Sequence, residues 1–279
     1  MTLRETLRAK FEVDDHPLAL IDRPAARPRR SAPGRYVSEQ LTFETSNGEA
    51  VRGLLTRPAS DAPSAAILYI HAHGSRYDIG AAELFDGRAA LQGPLGPVLA
   101  DMGFATLAID MPAFGDRSGR AESDLAKARL WRGRSLAGQM LGEQAAALDW
   151  LSSQPFVDPA RIGCFGISMG ATLGYWLAAV DERLSALAQL CCFADFAALI
   201  ELGAHDRHGI YLTVPGLLDI ASNGENAGLV APRPQLIGIG HHPLPGLHVL
   251  DDARPAQAKL HLAPVQHLQD DHVMPATAE

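Results

Sequence analysis

The fold is indicated by a stretch in the second half of the chain, Arg161-Ile162-Gly163-Cys164-Phe165-Gly166-Ile167-Ser168-Met169-Gly170. An apolar strand is predicted to end at Phe165, and a helix is predicted to begin near Ala171. The residues between them have the form Gly-x-Ser-x-Gly, which in a strand–turn–helix setting holds a serine at the edge of a sheet. Side chains at positions 166 and 170 would collide with the neighbouring strand and helix. The pattern therefore predicts that Ser168 is exposed on a sharp, strained turn.

Strands and helices alternate on both sides of this turn. Further strands are predicted from apolar or alternating runs at residues 65–70, 104–109, 186–193, 234–239 and 259–262, and a helical period extends over residues 125–151. Earlier in the chain, two strands at 37–44 and 51–56 are joined by Ser46-Asn47-Gly48, a hairpin signal. The order predicts an α/β fold: a doubly wound, mostly parallel sheet of about eight strands, begun by an antiparallel hairpin.

The N-terminal residues differ in composition from the rest. Thr2 and Glu5 have the spacing of a capping box, which predicts a short first helix. The Pro- and Arg-rich stretch at residues 22–35 predicts an extended arm on or beside the domain. We therefore divide the chain into an N-terminal helix and arm, residues 1–35, and one α/β domain, residues 36–279.

Composition limits the class of protein. The chain has 279 residues, of which 47% are apolar, so one large buried core is expected without disulfides or metal. A net charge of -8 and a pI near 5.7 argue against nucleic-acid or anionic-membrane partners. No apolar run approaches the ~20 residues of a membrane span. The N-terminus also lacks a secretory signal, and the three cysteines fit reduced thiols, so a cytoplasmic location is predicted.

An exposed serine at such a turn suits attack on a carbonyl, which also needs two N–H donors for the developing oxyanion. One donor is expected to be the amide of Met169. The second is expected from the loop after an earlier central strand, His71-Ala72-His73-Gly74-Ser75, with His73 and Gly74 as the candidates. His71 and His73 could instead be metal ligands two residues apart. No cysteine or carboxylate cluster accompanies them, so structural roles are preferred and no metal site is predicted.

With these features the chain resembles the α/β-hydrolase superfamily, and within it the dienelactone-hydrolase-like and prolyl-oligopeptidase-like serine esterases. The resemblance covers residues 36–193 well and the rest of the chain loosely. It depends on the elbow and on three stretches, at 71–74, 108–117 and 157–163. It implies the α/β-hydrolase fold, a Ser-acid-His triad in that chain order, and hydrolysis of carboxylic esters without a cofactor.

The base and the acid of that triad are less clearly marked. The resemblance places the histidine after the last strand, where Asp271-His272-Val273-Met274-Pro275 favours His272 and leaves His267 as its rival. The expected position of the carboxylate is occupied by His242. Asp195, at the end of the preceding predicted strand, is the preferred acid, and the alternatives are Asp251 and Asp252.

A long insertion at residues 194–226 is expected to form a cap over the serine. His208 and Tyr211 within it are candidate substrate-binding residues, although a solvated connection explains the polar part of the insertion equally well.

The favoured function is a serine hydrolase that cleaves small-molecule carboxylic esters through an acyl-enzyme on Ser168. A peptidase of prolyl-oligopeptidase type ranks second, because only 35 residues precede Tyr36 and such enzymes usually carry a longer extension. A third reading, motivated by the missing acid, is a non-catalytic binding protein of the hydrolase fold. The oligomeric state, including a homodimer, stays open.

Overall fold

The computed structural model describes residues 1–30, 35–60 and 62–238. The predicted strand at 259–262 lies outside them. Within them the strands are β1 (Leu18–Asp22), β2 (Arg27–Arg30), β3 (Arg35–Thr45), β4 (Ala50–Pro58), β5 (Ser64–Ile70), β6 (Ala105–Ile109), β7 (Val157–Ile167), β8 (Leu184–Leu190) and β9 (Gln235–Gly238). The α-helices are α1 (Leu3–Lys10), α2 (Glu83–Asp86), α3 (Leu95–Asp101), α4 (Glu122–Leu130), α5 (Leu136–Ser152), α6 (Met169–Val180), α7 (Phe196–Glu201) and α8 (Asn223–Gly228).

All nine of the described strands belong to one sheet, with the order β1-β3-β4-β6-β5-β7-β8-β9 and with β2 paired to β3. The first half is antiparallel: β3 and β4 form the predicted hairpin, and β4 pairs antiparallel with β6. From β6 through β5, β7, β8 and β9 the neighbouring strands are parallel. The predicted α/β class with an antiparallel hairpin is confirmed, although antiparallel pairs make up a larger part of the sheet than expected.

One predicted helix is divided. Residues 125–151 were expected to be a single helix, but α4 ends at Leu130 and α5 begins at Leu136. Gly133 adopts a positive φ of 68° between them, which stops a right-handed helix. The Ser135 side chain then caps α5 by accepting a hydrogen bond from the Gly138 N–H at 2.9 Å. The helical period continues across the break because both helices pack on the same core.

The first helix packs against the helix that follows Ser168. Thr2 and Glu5 form the predicted capping box of α1. Phe11 is fully buried and stacks on Trp176 of α6, with ring centroids 5.1 Å apart. Arg4 and Arg8 donate hydrogen bonds to carbonyl oxygens in the last turn of α6, those of Ala179 and Val180. The division of the chain at residue 35 stays a prediction.

The parallel strands set the position of the site. Strands β5, β6, β7 and β8 end at one edge of the sheet, at Ile70, Ile109, Ile167 and Leu190. In folds of this kind ligands bind at the carboxyl ends of the strands. Within residues 1–30, 35–60 and 62–238, no helix is long and apolar enough to cross a membrane.

Candidate active site

Ser168 lies at the abrupt turn between β7 and α6. Its backbone has φ 54° and ψ -118°, a strained region for a residue other than glycine, and its side chain is exposed. Its N–H donates to the carbonyl oxygen of Leu190 on the neighbouring strand at 2.8 Å. This bond fixes the turn to β8 and directs the serine away from the core. The arrangement is that of a nucleophile elbow.

The two glycines of the motif are there because backbone atoms pass close to them. A Cβ on Gly170 would lie 2.8 Å from the carbonyl oxygen of His71 and closer still to that of Ile70. A Cβ on Gly166 would lie 2.7 Å from the amide nitrogen of Ala171 and closer still to the carbonyl of Gly170. Neither site has room for a side chain, as the sequence predicts. The same close approach places the start of α6 against the end of β5.

The loop that leaves β5 therefore runs beside Ser168; we call residues 71–75 the His73 loop. Two of its N–H groups are already bonded: that of Ala72 donates to the Glu83 carboxylate at 3.2 Å, and that of Ser75 donates to His73 Nδ1 at 3.0 Å. Among the described residues, none accepts from the N–H groups of His73, Gly74 or Met169. These are the three residues predicted to form the oxyanion hole. Their donors are available for a ligand.

His71 is a structural residue of this loop. It is fully buried, its Nδ1 lies 3.2 Å from the Ala72 carbonyl oxygen, and its Nε2 accepts from the Met111 N–H at 3.3 Å. Burial lowers the pKa of the imidazole to about 3, so the ring is neutral at physiological pH. The described residues contain no group of three or more His, Cys, Asp or Glu side chains that could hold a metal ion.

This buried imidazole predicts a pH dependence of stability. In the unfolded chain a histidine protonates near pH 6.5, whereas His71 in the fold stays neutral down to about pH 3. The contribution of neutral His71 to the free energy of unfolding is therefore complete above pH 6.5. Below that value the free energy of unfolding falls as pH decreases, by up to about 1.4 kcal/mol per pH unit. We expect His71→Gln to show a shallower slope between pH 6.5 and 5, measured by urea unfolding.

The exposed His208 provides the control for that experiment. His208→Gln should keep the wild-type slope. Equal slopes for the wild type and for His71→Gln would contradict the assignment of a buried neutral imidazole at position 71.

His73 belongs to a cluster around a buried carboxylate, Glu122, at the start of α4. The Glu122 side chain accepts from His73 Nε2 at 2.8 Å, from the Tyr77 hydroxyl at 2.8 Å and from the Tyr211 N–H at 2.9 Å. Burial alone would oppose ionisation, but these hydrogen bonds outweigh it and hold the pKa of Glu122 below its usual value. The His73 ring is also packed between aromatic rings, those of Tyr77, Phe114 and Tyr211.

A cavity of about 360 Å³ lies beside this cluster. Its wall includes Ser118 and Glu122 from the region after β6, and Gly209 and Ile210 from the insertion at 194–226. The insertion thus approaches the carboxyl edge of the sheet.

The structure places the other predicted residues as follows. Asp195 caps α7, with its carboxylate accepting from the Ala197 N–H at 2.9 Å. Tyr211 is buried against the His73 ring, whereas the side chain of His208 is exposed. The candidate bases His272 and His267 lie outside the described residues, as do Asp251, Asp252 and His242. The roles of all these residues stay predictions.

Two carboxylates that hold the His73 loop were not predicted from the sequence. Glu122 is one. Glu83 is the other, and it binds the Ala72 N–H and forms an ion pair with Arg88 at 2.8 Å. Arg88 in turn donates to the His73 carbonyl oxygen at 3.4 Å. Acidic residues in the first turn of a helix are common for reasons of charge alone, so neither glutamate stands out in the chain.

The mixed sheet, the strained turn at Ser168 and the adjoining loop define the class of protein: this is a hydrolase of the α/β-hydrolase type. The chain belongs to the family described as X-Pro dipeptidyl-peptidase (S15 family), which matches residues 47–228.

Similar proteins agree with this class. YtaP of Bacillus subtilis (strain 168), provisionally named a hydrolase, is 38% identical over 208 residues, which cover 74% of this chain and 70% of YtaP. A Bacteroides fragilis NCTC 9343 structure, provisionally named an acetyl xylan esterase, superposes with a TM-score of 0.64 at 17% identity. That match covers 84% of this chain and 66% of the Bacteroides fragilis protein, so this chain spans just under two thirds of that protein's length. An acetyl xylan esterase from Paenibacillus sp. R4 gives a TM-score of 0.52 at 15% identity, and the match covers 85% of this chain and 86% of that esterase. At these identities the two structures show the shared fold.

Proposed function

We propose that this protein is a serine hydrolase that cleaves carboxylic esters of small molecules through an acyl-enzyme on Ser168. The observation that carries the proposal is the exposed serine at φ 54°, beside three N–H groups with no acceptor among the described residues. A serine hydroxyl held in this way can reach a carbonyl carbon, and the adjacent N–H groups can bind the oxygen that becomes negative.

In the proposed reaction Ser168 Oγ attacks the ester carbonyl while His272 accepts its proton. The tetrahedral intermediate collapses, the C–O bond to the alcohol breaks, and the alcohol leaves with the proton from His272. Water then attacks the acyl-enzyme, His272 takes a proton from it, and the carboxylic acid departs as Ser168 regains its hydrogen. Asp195 is the proposed acid that orients the histidine. The Met169 N–H and the His73 loop bind the oxyanion in both steps.

Two findings bear on the substrate. The structurally similar acetyl xylan esterases support an ester with a small acyl group. The family match favours a second candidate, a peptidase that releases X-Pro dipeptides. Both reactions use the same acyl-enzyme chemistry, so the bond that is cleaved distinguishes them.

The test compares p-nitrophenyl acetate and p-nitrophenyl butyrate with the p-nitroanilide of Ala-Pro, at equal concentrations of the purified protein. We expect turnover of the esters, negligible turnover of the anilide, and labelling of Ser168 by an organophosphonate in a one-to-one ratio. Faster release from the anilide would replace the esterase by the peptidase. Absence of both turnover and labelling would leave a binding protein with the hydrolase fold.

A further inference from the structure

Glu122 connects three segments that are distant in sequence. It is 4% exposed, and its carboxylate binds His73 and Tyr77 from the chain after β5 and the N–H of Tyr211 from the insertion. Gly209 packs directly on this contact, because a Cβ there would lie 2.8 Å from Glu122 Oε1 and 2.9 Å from His73 Nε2. The carboxylate and the ring are thus fixed relative to each other.

These hydrogen bonds determine which ring nitrogen of His73 carries the proton. Nδ1 accepts from the Ser75 N–H at 3.0 Å, so a neutral ring has its hydrogen on Nε2, which faces the Glu122 carboxylate at 2.8 Å. An ionised carboxylate only accepts, and it therefore favours this tautomer. Glu122 and the Ser75 N–H consequently hold opposite sides of one ring.

The ring in turn sets the backbone of the His73 loop. The chain turns sharply at Gly74, with φ 51°, and at Ser75, with φ 54°. Because the Ser75 N–H is directed back to the His73 ring, the N–H groups of His73 and Gly74 are the ones that remain without an acceptor among the described residues. If the ring moved, Ser75 would lose its acceptor, and a strained positive φ at a non-glycine residue would relax.

We infer that Glu122 is a positioning residue, which acts through the His73 ring to aim the N–H groups of the His73 loop at the oxyanion of the acyl-transfer reaction. The inference rests on the proposed function, since it assigns the loop a role in that reaction. Such a role affects the transition state more than the bound substrate, because the negative charge develops only during the reaction.

The test measures kcat and KM of Glu122→Ala and Glu122→Gln with p-nitrophenyl butyrate, per folded molecule as determined by circular dichroism. For Glu122→Ala we expect kcat to fall by about 10- to 100-fold with KM changed by less than about threefold, as for a displaced catalytic group. Glu122→Gln should recover much of the loss, because the amide oxygen can still accept from Nε2. A raised KM with unchanged kcat would overturn the inference, since Glu122 would then act on substrate binding through Tyr211.

Glu39→Ala is the matched control. Glu39 lies on β3, away from the parallel strand ends, and is equally buried, at 4% exposure. Its carboxylate accepts from Arg23, which directly follows β1, and from Arg57 on β4. The control should lose stability without losing kcat. If both alanine variants lower kcat alike, the effect is a general consequence of removing a buried carboxylate, and the inference fails.

A double-mutant cycle and hydrogen exchange complete the test. Adding Glu122→Ala to His73→Phe should lower kcat no further, because both changes act through the same ring; full additivity would contradict the inference. Exchange of the amide hydrogens at positions 75 and 76, which donate to the His73 ring and the His73 carbonyl oxygen, should accelerate in Glu122→Ala and not in Glu39→Ala. This readout needs no substrate. If the wild type hydrolyses no ester, the proposed function fails, and unchanged exchange would separately overturn the role of Glu122.

Discussion

Ser168→Ala should lower kcat for p-nitrophenyl butyrate by about 10⁴-fold or more, the scale measured when a catalytic serine is removed from other hydrolases. The variant keeps the N–H donors of Met169 and the His73 loop, so a small residual activity above background is expected. Its stability should match that of the wild type, because the serine side chain is exposed and the strain at φ 54° applies to alanine as much as to serine. Initial rates and urea unfolding measure the two quantities.

The control for this variant is Ser153→Ala, at the residue that caps the C-terminus of α5. The Ser153 hydroxyl is exposed and donates to the Trp150 carbonyl oxygen at 2.7 Å. Its removal should leave kcat unchanged. Retention of full activity by Ser168→Ala would exclude an acyl-enzyme at this position, whatever the other residues do.

Gly170→Ala should destabilise the protein more than the addition of a methyl group at any other position of this site. The added Cβ would meet two backbone carbonyl oxygens, those of Ile70 and His71, and neither can rotate away as a side chain could. Separating α6 from the end of β5 would disturb both the elbow and the His73 loop. We expect a loss of unfolding free energy on the order of 4–5 kcal/mol, or failure to fold, measured by urea denaturation.

Gly228→Ala makes the same chemical change where there is space. Gly228 ends α8, and a Cβ there would meet no atom within 4 Å. Alanine is favoured over glycine in a helix by about 1 kcal/mol, so this variant should be as stable as the wild type or slightly more stable. Similar stabilities for the two variants would show that the backbone at Gly170 adapts, and the explanation of the motif's second glycine would be wrong.

The fold could be predicted because its signals are local. The hairpin at Gly48, the apolar runs of β5 to β8 and the capping box of α1 each lie within a few consecutive residues. The break between α4 and α5 was also marked, by Gly133 and Ser135, but the apolar period across it masked the signal. Periodicity reports which face is buried, and two helices packed on one core share that face.

The site was predictable only in part. Ser168 and its glycines form a contiguous motif whose geometry follows from sterics. Glu122, in contrast, binds His73, Tyr77 and Tyr211, which are separated from it by 49, 45 and 89 positions in the sequence. Nothing in a single sequence marks such contacts, because the fold alone brings their members together.

The packing of α1 links the first residues of the chain to the far end of α6, the helix that follows Ser168. Arg4, Arg8 and Arg233 donate hydrogen bonds to carbonyl oxygens at the C-terminus of α6. Their positive charges offset the partial negative charge of that helix terminus. Ser168 stands at the opposite terminus of the same helix, about 18 Å away at 1.5 Å per residue. Proteolytic trimming of the first dozen residues would therefore expose the Trp176 ring and leave the partial negative charge of that terminus without two of its cations. Design of shortened or N-terminally fused versions should treat α1 as part of the scaffold that supports the Ser168 turn.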